Sequence, residues 1–222
     1  PDFYGGLRKG DNLYANCLLA IEAETGKLLW HFQFTHHDLW DRDAPAPPNL
    51  ITITRKGVKI PAVAQVTKQG YVFVFDRKTG EPLFDIEERK VPASNLAGEL
   101  ASETQPFPLN PAPFARFSTE LTEDDVSPYA ENKEEIRVML QSAEKRLYAP
   151  PDLTPTILFP GYDGAAEWGG SGADPDEGIL YVNANEMAWI LQMEIKKRIP
   201  TNLPMGEQNF QQYCMVCHQQ DR

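Results

Sequence analysis

A repeated β-hairpin pattern limits the fold of this chain more than any other feature of the sequence. In the first copy, a strand-like run over residues 15–21 is followed by the turn signal Thr25-Gly26 and by a second run over residues 28–34. The second run carries aromatic side chains at alternate positions, which predicts a strand with one buried aromatic face: Trp30, Phe32 and Phe34.

The hairpin recurs along the chain. A second copy has its strand at Tyr71–Phe75 and its turn at Thr79-Gly80, and a weaker third copy has its turn at residues 174–178. The glycines of the first two turns are 80 − 26 = 54 residues apart. A hairpin repeat with a period near fifty residues is typical of β-propeller blades, each of which needs a neighbour to cover its apolar face. We therefore predict an all-β fold, part of a β-propeller, over residues 1–192.

A long proline-rich excursion, about residues 87–159, separates the second hairpin from the third. Within it, Thr122 followed by acidic residues predicts the N-cap and first turn of a helix, and residues 134–145 predict a second short helix. Loops of this length inside compact domains are usually functional or mobile. The alternative is an insertion that only packs on the propeller surface, and the sequence leaves both open.

Close to its end the chain carries the sequence Cys214-Met215-Val216-Cys217-His218. Two thiols three positions apart can bond the two vinyl groups of one haem, and the adjacent imidazole can then ligate the iron. A zinc site would need two further ligands, and a thioredoxin-like redox site would need a βαβ context. We therefore predict that Cys214 and Cys217 hold haem c, with His218 as an iron ligand. Because such haem is attached outside the cytoplasm, we expect a periplasmic or otherwise exported protein.

The ends of the sequence carry expectations of their own. Residues 193–205 are basic and interrupted by prolines, which indicates a linker, and residues 206–213 predict a helix that leads into the haem motif. The motif ends at residue 218 of 222, so we expect residues 206–222 to be the truncated start of an α-helical cytochrome c domain. The opening at Pro1 has no methionine, basic start or apolar stretch, so either a targeting segment was removed or the natural N-terminus lies elsewhere, and we favour the second.

Charge and hydropathy exclude some partners. The formal net charge of −11 argues against nucleic acid and anionic membrane surfaces, since both select basic patches. No apolar run is long enough for a transmembrane helix. Cys17 stands in an apolar run and is predicted to be a small core residue, with a disulfide to a residue outside this sequence as the alternative.

A dense polar loop, residues 36–43, follows the first hairpin. It holds two histidines, three aspartates and a tryptophan in eight residues and then enters a proline-rich segment. Either these side chains form a site, or the aspartates only cap backbone amides, and composition alone leaves both interpretations open.

The chain resembles the quinoprotein dehydrogenases that use pyrroloquinoline quinone (PQQ), nearest to the membrane-type glucose dehydrogenase group. Residues 20–30 are similar to the tryptophan-docking motif of that family, with Glu22 where Asp is usual. Residues 37–41 are similar to the segment that ends in the family's catalytic aspartate. Residues 61–71 are similar to the entry of the next blade, and residues 161–170 to a later segment on the cofactor side. The resemblance covers residues 1–191 and implies a propeller of the eight-bladed type, while the chain from Gly206 onward resembles a fused cytochrome c.

The resemblance also implies roles for particular residues. Asp41 would be the catalytic base and a Ca²⁺ ligand, and Lys68, at 68 − 41 = 27 residues further on, would be a cation placed against the quinone. Glu167, which stands where several relatives have Asn, and Trp168 would contact the cofactor. The family's other Ca²⁺ ligands and the adjacent-cysteine disulfide of some relatives are not in this sequence. We therefore expect an incomplete cofactor pocket and a chain that is inactive by itself.

The implied function is PQQ-dependent oxidation of the CH–OH group of an alcohol, sugar or polyol to a carbonyl. Electrons would pass to the haem and then to a downstream acceptor, either a cytochrome or the quinone pool. One alternative is a propeller scaffold that lost catalysis and kept the haem, but such a scaffold has no use for Asp41 and Lys68 in one pocket. The other is a c-type cytochrome with a β extension, against which the repeated hairpins argue.

Overall fold

The computed structural model describes residues 3–175, 177–195 and 202–215. These residues form five small antiparallel sheets, in the orders β1-β2, β3-β4-β5, β6-β7, β8-β11 and β9-β10. The strands are β1 (Cys17–Ile21), β2 (Leu28–Gln33), β3 (Asn49–Arg55), β4 (Val58–Val66), β5 (Val72–Asp76), β6 (Ile86–Lys90), β7 (Thr104–Pro108), β8 (Thr156–Leu158), β9 (Ser171–Asp174), β10 (Ile179–Val182) and β11 (Trp189–Leu191). Among the described residues the sheets do not close into a ring.

All three predicted hairpin turns have the same backbone geometry. The closing glycine donates its amide to the carbonyl four residues earlier, over 2.9 Å at Gly26, 2.8 Å at Gly80 and 3.0 Å at Gly178. Each glycine has a positive φ, of 71°, 77° and 69° respectively. This left-handed conformation is the one that glycine adopts without a steric penalty. The weak third copy is therefore a true repeat of the first two.

The first hairpin docks onto the turn of the second through Trp30. The indole nitrogen donates a hydrogen bond to the carbonyl of Arg77 over 3.1 Å. The ring lies so close to Gly80 that an added Cβ there would stand 2.7 Å from the indole. On the same face, Phe32 packs against Phe75 with ring centroids 4.8 Å apart. The aromatic face predicted for this strand is therefore confirmed, and it is the face that joins two successive repeats.

The three-stranded sheet β3-β4-β5 is the centre of the described core. Its strand β4 is buried on both faces, because Ala64 packs in one apolar cluster and Val63 in the other. The cluster on one face takes in Leu180 of β10, and the cluster on the opposite face takes in Phe32 of β2. The central sheet is thus stacked between the first and third hairpins, as blades are stacked in a propeller.

The excursion is more regular than its composition suggests. It begins with the hairpin β6-β7, continues through two short 3₁₀ turns (Ser118–Glu120 and Glu123–Asp125) and α1 (Lys133–Ser142), and ends in β8. Thr122 is an N-cap as predicted, but the prediction of a longer helix after it is wrong, because only one 3₁₀ turn forms there. Low helix propensity in residues 124–127 and the restraint that Pro128 places on its predecessor account for this. The second predicted helix ends at Ser142, because Glu144 turns to pair with the chain leading to β8.

The C-terminal part contains α2 (Met205–Asn209), which continues into a π-helical segment (Phe210–Cys214). The predicted helix before the haem motif is present and begins one residue early. Cys214 is an exposed free thiol, and Cys17 is a half-buried free thiol in β1. Cys217, His218 and residues 196–201 of the predicted linker lie outside the described residues. No helix in the described part of the chain is both long and apolar enough to cross a membrane.

Candidate active site

A buried lysine, Lys68, forms ion pairs with three carboxylates, more than any other cation in the described part of the chain. Lys68 Nζ lies 3.1 Å from Asp41 Oδ2, 2.6 Å from Asp43 Oδ1 and 2.9 Å from Glu167 Oε1. The lysine side chain is 4% exposed, whereas the carboxylates are 28–48% exposed. The ammonium is therefore buried while the carboxylates face solvent. We call these four side chains the lysine–carboxylate cluster.

Lys68 is presented by the tight connection between β4 and β5. The Thr67 amide donates to the carbonyl of Tyr71 over 3.0 Å, which closes the connection. The segment that carries Glu167 crosses directly over the lysine. Ala165 donates its amide to the carbonyl of Lys68 over 2.8 Å, and Gly164 lies against the lysine stem, where an added Cβ would come within 2.3 Å of Cγ. Only glycine allows this close approach.

The polar loop uses two of its aspartates in different ways. Asp38 accepts hydrogen bonds from the backbone amides of Trp40 and Arg42, over 2.9 and 2.7 Å, and from the side chain of Asn16 over 2.8 Å. Burial raises the pKa of Asp38, and these hydrogen bonds partly oppose that shift. Asp41 instead adopts a left-handed φ of 58° and contacts Lys68. The capping interpretation thus holds for Asp38, and the site interpretation applies to Asp41.

Arg42, between the two aspartates of the cluster, joins three segments of the chain. Its buried guanidinium donates to the backbone carbonyls of Lys68 (3.3 Å), Gly161 (3.3 Å) and Pro160 (2.6 Å). Burial lowers the pKa of this guanidinium, and nearby acidic groups, including Asp38 and Asp41, oppose the shift. The sequence analysis missed Arg42, because a buried arginine has no pattern that distinguishes it from an exposed one.

The charges of the cluster do not balance. Burial disfavours the ammonium of Lys68, but hydrogen bonds to Asp43, Glu167 and Asp41 outweigh it and raise its pKa. With all four groups ionised, three negative charges face one positive charge, which leaves a net charge of −2. Such an excess of hard oxygen donors favours a divalent cation of the Ca²⁺ type.

This donor chemistry fits Ca²⁺, but the ligands do not complete a site. No set of three or more His, Cys, Asp or Glu side chains that could hold a metal ion occurs among the described residues. The carboxylates of the cluster converge on the lysine ammonium and not on a common metal position. This chain would therefore contribute ligands to a Ca²⁺ site without forming the whole of it.

Two cavities adjoin the cluster. The first has a volume of about 380 Å³, and Asp41 and Asp43 form part of its wall together with Asp38, Asn16 and Thr35. The second has a volume of about 360 Å³ and is lined by Asp163, Ala165, Glu167, Trp168, Gly169, Asn183 and Asn185. Both volumes lie in the range of small-molecule sites. The cluster thus supplies polar groups to two spaces that could each accept a small ligand or part of a larger one.

The structure brings together most of the predicted site residues. Asp41, Lys68 and Glu167 meet in the cluster, and Trp168 stands beside Glu167 with 83% of its surface exposed. Cys214 lies apart, on the segment after α2, and the other haem-motif residues, Cys217 and His218, are outside the described part. The sequence analysis missed Asp43, although its spacing of two residues from Asp41 could have indicated a shared site.

Hairpins that stack face to face and dock through a tryptophan are typical of the blades of a β-propeller, and the lysine–carboxylate cluster adjoins two cavities of ligand size. Comparison with known proteins gives the family. Residues 1–219 match the PQQ family described as "Glucose/ethanol/alcohol dehydrogenase, beta-propeller domain", and the chain belongs to it.

Two curated relatives and one solved structure illustrate the likeness. The chain is 41% identical over 196 residues to quinoprotein glucose dehydrogenase A of Acinetobacter calcoaceticus, covering 82% of this chain and 24% of that protein. It is 26% identical over 180 residues to quinohemoprotein alcohol dehydrogenase ADH-IIG of Pseudomonas putida, covering 81% of this chain and 20% of that protein. The solved structure of quinohemoprotein alcohol dehydrogenase ADHIIG from Pseudomonas putida HK5 superimposes with a TM-score of 0.52 at 22% identity, covering 85% of this chain and 22% of that one. The chain thus spans no more than about a quarter of the length of these proteins.

Proposed function

We propose that the protein carrying this chain oxidises the CH–OH group of an alcohol, sugar or polyol to a carbonyl, with PQQ as its redox cofactor. The observation that carries the proposal is the contact of Asp41 with Lys68, over 3.1 Å, at the wall of a ligand-sized cavity. A carboxylate and a cation placed together at a cavity are what removal of a proton and stabilisation of developing negative charge require.

Asp41 is the general base in this proposal. Its carboxylate accepts the hydroxyl proton of the substrate, so that the C–H bond of the same carbon can release its hydrogen with the electron pair. PQQ, when bound, would supply the acceptor for that hydride, so that the substrate would leave as the carbonyl compound. General-base catalysis of this kind contributes roughly 10²–10⁴-fold to the rate.

Lys68, Asp43 and Glu167 are the charged groups that surround Asp41 in the cluster. The ammonium of Lys68 stabilises negative charge on ligand oxygens, and its raised pKa keeps it protonated at neutral pH. Asp41 would offer a carboxylate oxygen to Ca²⁺, which would act as a Lewis acid at the site. Binding a divalent cation would neutralise the net charge of −2 on the cluster.

The second cavity is the proposed place for contacts to the flat ring system of the cofactor. Trp168 gives this cavity a large exposed aromatic surface, and Asn183 and Asn185 give it amide groups that can both donate and accept hydrogen bonds. Glu167 belongs to this cavity and to the cluster, so a ligand there would lie next to Lys68.

We further propose that electrons leave through a covalent haem c held by Cys214 and Cys217, with His218 on the iron. The support is the spacing of the motif and the name of the relative from Pseudomonas putida, a quinohemoprotein. Haem attachment of this kind would make the protein periplasmic or otherwise exported. Its electrons would pass to a downstream cytochrome or to the quinone pool.

The dehydrogenase proposal is tested by reconstitution. The protein that carries this chain is loaded with PQQ and Ca²⁺, and dye reduction is measured with a panel of alcohols, sugars and polyols. Asp41→Asn is compared with Asp85→Asn, an exposed aspartate in the connection from β5 to β6. We expect Asp41→Asn to lose about 10²-fold or more in kcat and Asp85→Asn to match the wild type. Full activity in Asp41→Asn would overturn the base assignment, and bound PQQ without activity on any donor would favour a propeller scaffold.

The haem proposal has a separate test. A peroxidase stain for covalent haem on a denaturing gel should give a band for the exported protein. Cys214→Ala should lose the band, while Cys17→Ala, which removes the thiol in β1, should keep it. A band of equal strength in Cys214→Ala, or none in the wild type, would contradict covalent attachment at this motif.

A further inference from the structure

The proline-rich excursion contacts the loop that ends in Asp41 at three places, and the first of these is His36. Gln105 of β7 is fully buried, and its amide makes a reciprocal pair with the main chain of His36. The His36 amide donates to Gln105 Oε1 over 2.8 Å, and Gln105 Nε2 donates to the His36 carbonyl over 2.7 Å. One side chain therefore satisfies both backbone groups of a residue 69 positions away.

The second contact is at the next residue, His37. Its buried ring lies 3.2 Å from Glu99 Oε1 and 2.6 Å from the carbonyl of Gly10. The other oxygen of Glu99 accepts the amide of Gly5 over 2.8 Å. Both histidine nitrogens and both carboxylate oxygens are thus used, and the side chain of His37 is fixed from two directions.

The third contact is at Trp40, the residue before Asp41. The indole nitrogen donates to the carbonyl of Ala149 over 2.7 Å. The ring packs edge-on against Tyr148, with centroids 5.3 Å apart. Trp40 is almost completely buried, so this contact fixes the main chain immediately ahead of the carboxylate.

The loop needs such support because its backbone is strained at two places. His37 and Asp41 have positive φ angles of 44° and 58°, a region that L-residues with side chains enter only when the surrounding structure imposes it. All three contacts are made by residues of the excursion, and they are made at or directly beside the two strained residues, His37 and Asp41.

We propose that the excursion is a brace that holds this loop in the conformation that presents Asp41 to Lys68, and that Gln105 is its chief positioning residue. The proposal rests on the proposed function, in which Asp41 is the base. It answers the question that the sequence left open, since an insertion that only covered the propeller would not contact three of the five residues before Asp41.

The test compares Gln105→Leu, which has a side chain of similar size without the two hydrogen bonds, with Gln141→Leu. Gln141 is an exposed residue of α1 whose side chain donates a hydrogen bond to another residue of the excursion, Glu123, so it is a matched control. Both variants are made in the PQQ- and Ca²⁺-loaded protein beside Asp41→Asn. The measurements are kcat and KM, the deuterium isotope effect on kcat with substrate labelled at the reacting carbon, and deuterium uptake of the peptide that spans residues 36–41.

For Gln105→Leu we expect kcat to fall by about ten- to a hundred-fold, since a displacement near 1 Å at a reacting group costs up to about 10². KM should change less than about threefold on the same argument, the isotope effect should rise, and uptake in the loop should increase. Gln141→Leu should match the wild type. Unchanged loop uptake, or unchanged kcat beside an inactive Asp41→Asn, would overturn the brace. An active Asp41→Asn would instead overturn the proposed function.

A milder variant keeps the proposal testable if Gln105→Leu does not fold. Trp40→Phe retains an aromatic ring against Tyr148 and removes the hydrogen bond to Ala149 together with part of the buried indole. We expect its kcat to fall several-fold with KM and PQQ binding unchanged. A kcat equal to that of the wild type, with the loop still protected from exchange, would refute the proposal by itself.

Discussion

Replacement of Gly80 by alanine should destabilise the protein far more than the same replacement at Gly26. The two glycines close turns with the same hydrogen bond and nearly the same φ, 77° and 71°. An alanine in this left-handed region costs about 1–2 kcal/mol at either position. The space around them differs, because nothing lies within 4 Å of a Cβ added at Gly26, whereas a Cβ at Gly80 would meet the Trp30 ring at 2.7 Å.

The additional cost at Gly80 can be estimated from the contacts of Trp30. Displacement of the indole breaks its hydrogen bond to Arg77, at about 1 kcal/mol. It also exposes part of the ring that packs between the hairpins, at about 1.5 kcal/mol. We therefore expect Gly80→Ala to lower the free energy of unfolding by about 4 kcal/mol and Gly26→Ala by about 1.5 kcal/mol.

Urea unfolding followed by intrinsic tryptophan fluorescence measures the difference. A double-mutant cycle with Trp30→Ala gives the matched control, because without the ring the two glycine replacements should cost the same. Equal effects of Gly80→Ala and Gly26→Ala with Trp30 present would refute the view that Trp30 docks one repeat onto the next.

Three further predictions concern the site and its surroundings. Burial raises the pKa of Tyr148, so above pH ~10 the phenol ionises in the unfolded chain before it does in the folded one, and the free energy of unfolding falls. In Tyr148→Phe this alkaline loss of stability should be shallower by up to about 1.4 kcal/mol per pH unit. Urea midpoints measured between pH 8 and 11 test this, and an identical loss in the variant and the wild type would contradict it. Asp38→Ala removes an acceptor shared by Trp40, Arg42 and Asn16, and should lower the free energy of unfolding by about 3 kcal/mol. Asp38→Asn should lower the melting temperature clearly less. Equal melting temperatures for the two variants would argue against the capping role of Asp38. Trp168→Ala should leave the melting temperature unchanged, since the ring is 83% exposed, but should weaken PQQ binding measured by equilibrium dialysis; unaltered binding would exclude a contact between Trp168 and the cofactor.

The sequence was sufficient for features that depend on local pattern. Alternation at Trp30, Phe32 and Phe34 predicted a strand with one buried aromatic face, and the glycines at 26, 80 and 178 marked turns whose backbone only glycine adopts freely. The failed helix after Thr122 shows the limit of such patterns, because a good N-cap cannot compensate for poor helix formers followed by a proline.

The candidate site was predictable only where a motif carried it. Asp41, Lys68 and Glu167 were singled out by family resemblance, and they meet in one cluster. Arg42 and Gln105 could not be found in this way, because their importance arises from contacts over 26 to 119 residues of sequence and from burial. A buried polar side chain that bonds to distant backbone groups has no signature in its own neighbourhood of the chain.

A single-turnover measurement tests the proposal that Asp41 removes the proton in the oxidation step. Protein loaded with PQQ and Ca²⁺ is mixed with an oxidisable substrate in a stopped-flow instrument, and the absorbance of the bound cofactor is followed during its reduction. We expect Asp41→Asn to bind PQQ as tightly as the wild type but to reduce it at least about 10²-fold more slowly. A rate constant equal to that of the wild type, with PQQ bound, would contradict it.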